Sequence, residues 1–581
     1  MFNSSGIKLV NFALLCVVVV VACGKDDDVS KSSATSALLQ YVPAHSPYVF
    51  ATLAPLPDDV NDKLEPKIDR ILKSYKVLLQ EVVAMTTAVP DEEGDSEERQ
   101  SDREKATAVV NELSSLLSVD GLRAAGFERE SRFVLYGNGL LPVMRLEVSD
   151  GALFEAALAR IENSAAEEMA QLSIAGNSVR YVDLGNVRVL VAVLDKQVVM
   201  SVAPVEFTEP QLSSLLGFAA PASNIASAGV LQKLSSDYGF NDYFVGYLDF
   251  ARIVNTFTGD AKGLDADLVA MAVKETVLSD VCRSEIREMA GLAPRMVMGY
   301  SEISTEQFRS QVVIETRDDV AAGMATFPAA VPGLGGDAGG VVSFGMSLDV
   351  MAVRKFVEAR LDAMEKDPYQ CEYFANLQGG IAGLRASLDQ PAPPMVYDFR
   401  GFAAVIENIE GLSMATQTPP TAVEGRFLLA MDNAPALVAL GTMFSPELAA
   451  LGLQPDSKPV LVDVPQSQML GQVLHAALSE QALALSIGEG AETELSGMLS
   501  ARAEANGTFF NFSMDAARYY TFVAEAMEMQ EPDADAPMSP EFRKAMQDIM
   551  LAIADIYARM SADVRFTDQG IVIDSVITLA D

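Results

Sequence analysis

The chain of 581 residues carries 42 Lys and Arg against 80 Asp and Glu, a formal net charge of −38, with half its residues apolar and a mean hydropathy of +0.19. That much apolar material excludes a wholly disordered chain and suffices for a large core in two to four domains. The acidity excludes a nucleic-acid partner, which demands a basic stripe, and opposes flat adsorption on an anionic membrane. Two His, four Cys and no Trp leave little for imidazole-rich or cysteine-rich metal centres, so no metal and no cofactor is expected.

At the N-terminus, Lys8 precedes an apolar run from Leu9 to Val21 that only Asn11 interrupts. It falls short of the roughly 20 apolar residues of a spanning helix and reads as a secretory signal. The run ends Val20-Val21-Ala22-Cys23-Gly24, which resembles the lipobox of bacterial lipoproteins. The resemblance implies that residues 1–22 are a signal peptide, removed together with Cys16, and that Cys23 becomes the acylated N-terminus. Two or three acyl chains, palmitate among them, would hold the protein on a membrane, since one alone gives only marginal attachment. Lipoproteins retained at the inner membrane commonly carry Asp where this chain has Gly24. In a Gram-negative host the resemblance therefore implies the outer membrane, facing the periplasm. The alternative is a short signal anchor with an incidental Cys. Residues 23–37, with Asp26-Asp27-Asp28 and a Ser-rich stretch, read as a solvated tether; consecutive acids lack the alternating spacing of a calcium loop.

From Tyr41 onward one unit recurs: an alternating strand, an Asp, then a helical stretch. It appears as Met144–Ser149 before Asp150, Tyr243–Leu248 before Asp249, Ser343–Leu348 before Asp349, Arg426–Met431 before Asp432 and Phe509–Met514 before Asp515. Tyr48–Leu53, followed by Asp58, is a sixth variant. Period-two apolar residues suit half-buried strands, and an Asp at the junction suits a helix N-cap. Capping explains Asp150, Asp249, Asp349, Asp432 and Asp515 without a catalytic or metal cluster.

The order of elements repeats too. A hairpin turning at Asp195-Lys196 precedes the Asp249 unit, and one spanning His475–Ile487 precedes the Asp515 unit; each series closes on a further hairpin, at 299–316 and 563–578. The expected fold class is α+β, with two similar halves, 38–327 and 342–581, each an antiparallel sheet with helical insertions. Residues 328–341, rich in Gly and Pro, read as a flexible linker. The helical tracts are 61–87 and 105–117 around an acidic loop at 91–102, and 542–560, whose Met546, Ile549, Met550, Ile553 and Ile556 form one stripe. Such stripes usually face a core. The 26 Met also permit an adaptable apolar groove.

After processing, the remaining thiols are Cys282 and Cys371, and an oxidising envelope favours a disulfide between them across the two halves. Two separate buried thiols are the alternative; without Cys-x-x-Cys or a neighbouring His, a redox-active pair is disfavoured.

Catalytic chemistry is hard to find. His45 lies in a turn and His475 on a hairpin, and there is no nucleophile elbow, zinc helix or phosphate loop. The phrase Val42-Pro-Ala-His-Ser-Pro47-Tyr48 before the first strand, with the strand–Asp–helix units, resembles a family of duplicated bacterial envelope proteins of unknown function. That resemblance implies a location and an architecture, and no activity. The functional expectation is a non-enzymatic, lipid-anchored envelope protein acting in protein interaction or scaffolding. The alternatives are a carrier of a lipid or other hydrophobic ligand, and a His-poor hydrolase. A closed core, an apolar groove or a polar cleft would separate the three.

Overall fold

Period-two alternation produces strands throughout the computed structural model, which describes residues 37–88, 97–166, 168–259, 261–272, 278–335, 338–410, 422–463, 472–501, 507–529 and 539–581. In chain order the strands are β1 (Tyr48–Thr52), β2 (Phe133–Asn138), β3 (Leu141–Glu147), β4 (Ala170–Ile174), β5 (Asn177–Leu184), β6 (Val187–Val193), β7 (Gln197–Pro204), β8 (Phe244–Asp249), β9 (Arg295–Ile303) and β10 (Gln307–Glu315). They continue as β11 (Val342–Ser347), β12 (Phe399–Glu410), β13 (Ala422–Met431), β14 (Val460–Leu461), β15 (Leu474–Leu478), β16 (Ala482–Ile487), β17 (Thr508–Asp515), β18 (Tyr557–Thr567) and β19 (Gly570–Leu579). Side by side they run β4-β5-β6-β7-β3-β2-β1-β8-β9-β10-β19-β18-β17-β11-β12-β13-β16-β15-β14, every neighbour antiparallel.

The expectation of two separate sheets is corrected here: among the described residues there is one. Strand β10 pairs with β19 from Gln307↔Thr578 to Glu315↔Gly570, so the closing hairpins of the two segments share a ladder. The two strands satisfy each other's backbone groups, and their apolar runs Val312–Ile314 and Ile571–Ile573 lie side by side, which leaves neither as an exposed edge. The long helix Asp58–Ala88 also crosses the boundary to meet the helix Pro540–Ile556. Leu78 packs on Ala545 and Ile549, with Met546, Met550 and Ile553 beside them. Val60 and Leu64 join Ile556 and Leu579. Arg70 pairs with Asp555 at 2.7 Å at the rim. The expected helical tract 542–560 ends at Ile556, and Met560 belongs to β18. Helix also replaces part of the expected acidic loop, from Glu97 on; residues 89–96 lie outside the described residues.

Residues 328–341 are not a free spacer over their described part. Phe327 sets its ring edge-on against Phe356 and Phe566. Val331 is buried with Leu428 and Leu495. Arg559 donates to the Gly339 and Gly340 carbonyls at 3.0 and 3.1 Å.

Four of the five junction Asp residues take the first-turn N–H of the following helix. Asp150 accepts from Ala152, Asp249 from Arg252, Asp349 from Ala352 and Asp515 from Arg518, all between 2.7 and 2.9 Å. Asp432 does not. Its own N–H is held by the Asp398 carbonyl and its carboxylate by Arg400, so the cap moves on one residue to Asn433, whose side chain accepts from Ala436 N–H at 3.1 Å.

Candidate functional site

Successive strand residues point to opposite faces, so directly paired residues share a face. One face buries Val49, Tyr136, Val143, Val245, Tyr247, Val297 and Val313 beneath Leu212, Leu215, Leu231 and Leu234 from the helices Glu209–Leu216 and Val230–Tyr238. Across β11, β12, β13 and β16 the same face carries Gly345, Ala403, Leu428 and Ala484 opposite one another, three of them small; all four are buried, and Leu428 and Ala484 pack with Val331, Leu495 and Leu499.

The other face carries the large side chains. Paired positions trace Met298, Val312, Ile573, Val564, Phe510, Met346, Phe402, Leu429 and Leu483 across nine adjacent strands. At about 4.8 Å per strand the row runs on the order of 40 Å. A second row holds Phe512, Phe344, Ala404, Phe427 and Leu485. The rings of Phe344, Phe402 and Phe427 contact in sequence at 6.1 and 6.2 Å. All nine residues of the first row stay half-buried, and Phe427 and Leu485 are 37% and 40% exposed. A core normally encloses its largest apolar groups. Here Gly345, Ala403 and Ala484 are enclosed while Phe427 and Leu485 remain reachable.

The equivalent face nearer the N-terminus is closed. Met144 and Met200 lie under Phe154, Ala157 and Leu158 of the helix Gly151–Ala165, backed by Leu72, Leu116 and Leu122. After β13, the helix Ala434–Phe444 occupies the same place in the element order, yet Ala434 is its one buried residue. Its sequence is uncharged and apolar, and Met443 and Phe444 are 78% and 82% exposed.

The polar groups are arranged differently. Ser343, Arg426, Ser486 and His475 follow one another along the small-residue face, with Glu492 3.7 Å from His475 Nδ1. Ser486 Oγ has no hydrogen-bond partner, and its residue is 2% exposed. Nucleophile, base and acid types are therefore close, but the hydroxyl is closed off and unaligned with the imidazole. Arg426 is held by Glu407 and Glu494. A neighbouring cavity of about 130 Å³, lined by Ser343, Arg426, Asn511 and Met498, has room for bridging water. His45 is exposed in its turn; Ser46 beside it is buried, its carbonyl accepting from Tyr247 and Arg252 at 2.9 Å. At the β10–β19 seam a polar recess of about 320 Å³ is lined by Arg309, Asp563, Arg565 and Asp574, where Arg565 pairs with Asp574 and Asn511 donates to Asp563.

Cys282 and Cys371 are joined as a disulfide, linking the helix Asp280–Ala290 to the segment after the helix Val350–Lys366. Glu285 reinforces the junction by accepting from the Gln370 and Cys371 N–H groups at 2.7 and 3.0 Å. Glu372 lies 3.2 Å from the Cys282 sulfur, but bridged sulfurs offer no thiolate to a metal. Cys23, the signal peptide and Asp26–Asp28 lie outside the described residues. Among the described residues no helix is long and apolar enough to cross a membrane.

Sequence reading identified strand alternation but not the open face. The signal was present in Ser343-Phe-Gly-Met-Ser347, where small residues alternate with large apolar ones and mark which side sits against a close-packed layer. No family model, no curated protein and no solved structure matches the chain.

Proposed function

We propose that the protein is a non-enzymatic envelope lipoprotein, anchored through acylated Cys23, whose body binds acyl chains of a lipid along the open apolar face. The observation that carries this reading is the inversion of size and burial: Phe344, Phe402, Phe427, Leu429 and Leu483 are less buried than the Ala and Gly residues on the opposite face. Phe, Met, Leu, Ile and Val dominate the two rows, and no charged residue interrupts them. Scaffolding is the weaker reading, because protein-binding hot spots favour Trp, Tyr and Arg, and the rows contain none of these. The hydrolase reading has residue types in its favour at His475 and Ser486, but the Ser486 hydroxyl is buried.

Duplication belongs to the same proposal. The order β6-β7-β3-β2-β1-β8-β9-β10 has its counterpart in β15-β16-β13-β12-β11-β17-β18-β19. Gly151 N–H donates to Asp195 O as Ala434 N–H does to Glu480 O, and Asp249 N–H donates to Pro47 O as Asp515 N–H does to Val341 O. On this reading one copy kept its helical cover and the other exposed the matching surface for a ligand.

The test is native mass spectrometry of the chain from Ser30, exported to the periplasm and purified without detergent. The expected result is an excess mass of lipid size, shed on activation and reduced in Phe427→Asp/Leu485→Asp. A bare mass under the gentlest conditions would overturn the lipid-binding reading.

A further inference from the structure

We infer that the corner between the helices Ala434–Phe444 and Pro446–Ala450 is a membrane-docking tip, which places Met443 and Phe444 at the headgroup–acyl boundary of a zwitterionic bilayer. This rests on the lipid-binding reading above, for which the tip is the point of contact with a lipid source.

Isolated exposed apolar residues are ordinary, but two consecutive large ones, each about four-fifths exposed, mark a contact surface. Leu448, 38% exposed, extends the patch, and its Cδ1 lies close to Gly441 on the neighbouring helix. The corner bonds part of its backbone internally: Ser445 N–H donates to Gly441 O at 3.0 Å, and Leu448 N–H to Ser445 Oγ at 3.4 Å. Such closure is what an apolar phase requires, because lipid tails supply no hydrogen bonds.

Charge decides the occupant. The helix Ala434–Phe444 has no ionisable residue, in a chain whose net charge is −38. Attachment must then come from apolar insertion, and anionic headgroups oppose it. Glu447, accepting from Ser445 Oγ at 2.8 Å, marks the depth limit, where a charged carboxylate stays among the headgroups. The exposed Leu377 and Leu384 differ: their helix, Ala375–Leu388, carries Arg385, clamped to Asp362 and Glu365. Continuity supports the lipid source as well, since β13, bearing Phe427 and Leu429, runs through Asp432 and Asn433 directly into the tip helix.

The test is co-sedimentation of the chain from Ser30, which retains every described strand and helix, with phosphatidylcholine vesicles. Binding is expected, insensitive to raised salt and weakened when phosphatidylglycerol is added. Met443→Ser/Phe444→Ser should lower the partition coefficient at least about tenfold, because two large apolar side chains are lost from the boundary. Phe444→Leu should retain most of it. Both positions are exposed, so thermal melts should be unchanged. Absence of vesicle binding, or equal binding by the double variant, would overturn the inference. So would self-association in sedimentation velocity that the double variant abolishes without any vesicle binding, since the occupant would then be a second copy. Native mass spectrometry of the same samples separates the two proposals: bound lipid without vesicle binding removes the tip alone, and vesicle binding without bound lipid removes the carrier reading alone.

Discussion

Arg145 on β3 is fully buried, yet its charge is answered by neutral groups: Nη2 donates to the Leu216 and Gly217 carbonyls at 2.6 and 2.5 Å, Nη1 to Gln197 at 2.8 Å and Nε to the Tyr136 hydroxyl at 3.2 Å. The Tyr41 ring lies 4.2 Å from the guanidinium carbon. The two carbonyls end the helix Glu209–Leu216, where the helix dipole is negative. Arg145→Met keeps most of the apolar stem and relieves a desolvated charge, which by itself would be neutral or stabilising. It also leaves the two carbonyls and the Gln197 oxygen without this donor, at about 1–3 kcal/mol for each buried acceptor. The acceptors outweigh the relief, and the expected net loss is about 3 kcal/mol. Arg145→Lys should recover only part, because one ammonium cannot span what the planar fork reaches. Urea unfolding, with the transition midpoint and slope both fitted, measures this. A Met variant within about 0.5 kcal/mol of the parent, with an unchanged slope, would refute the reasoning.

Three further outcomes are expected. Cys282→Ser/Cys371→Ser should lose up to about 4–5 kcal/mol by the chain-entropy argument, read from urea unfolding, and addition of reductant should then affect only the parent; equal stability would show that the bridge does not staple the fold. Asn433→Ala should cost about 1 kcal/mol through loss of its cap, whereas Asp432→Asn, which only weakens a rim contact to Arg400, should cost less than about half that in thermal melts; the reverse order would restore Asp432 as the cap. Burial pushes the Tyr247 hydroxyl up to about 12, so its stabilisation is complete below the usual tyrosine value near 10 and is lost as pH rises towards 12. Roughly 2–3 kcal/mol should disappear over that window, and Tyr247→Phe should flatten the alkaline fall in stability by that amount; a superimposable pH profile would exclude Tyr247 as its source.

Much of the local architecture follows from the sequence alone. Alternation at 243–248, 343–348 and 509–514 specifies strands because the pleat repeats every two residues, and Asp249, Asp349 and Asp515 start helices because a short carboxylate reaches the first-turn N–H groups. The hairpins around Asp195 and His475–Ile487 were legible for the same reason. Asp432 was misread because capping also depends on what else holds the residue, and Arg400 of β12 and the Asp398 carbonyl at the end of the helix before it lie 32 and 34 residues earlier. Tertiary structure alone decided that β10 joins β19, that Val331 is buried rather than part of a free spacer, and that the helix Asp58–Ala88 packs across to Pro540–Ile556. It also decided which side of the sheet stays open. Alternation specifies that two faces differ but carries no label for the one that will be covered; that depends on helices arriving from distant parts of the chain, which close over Met144 and Met200 and leave Phe427 and Leu485 reachable.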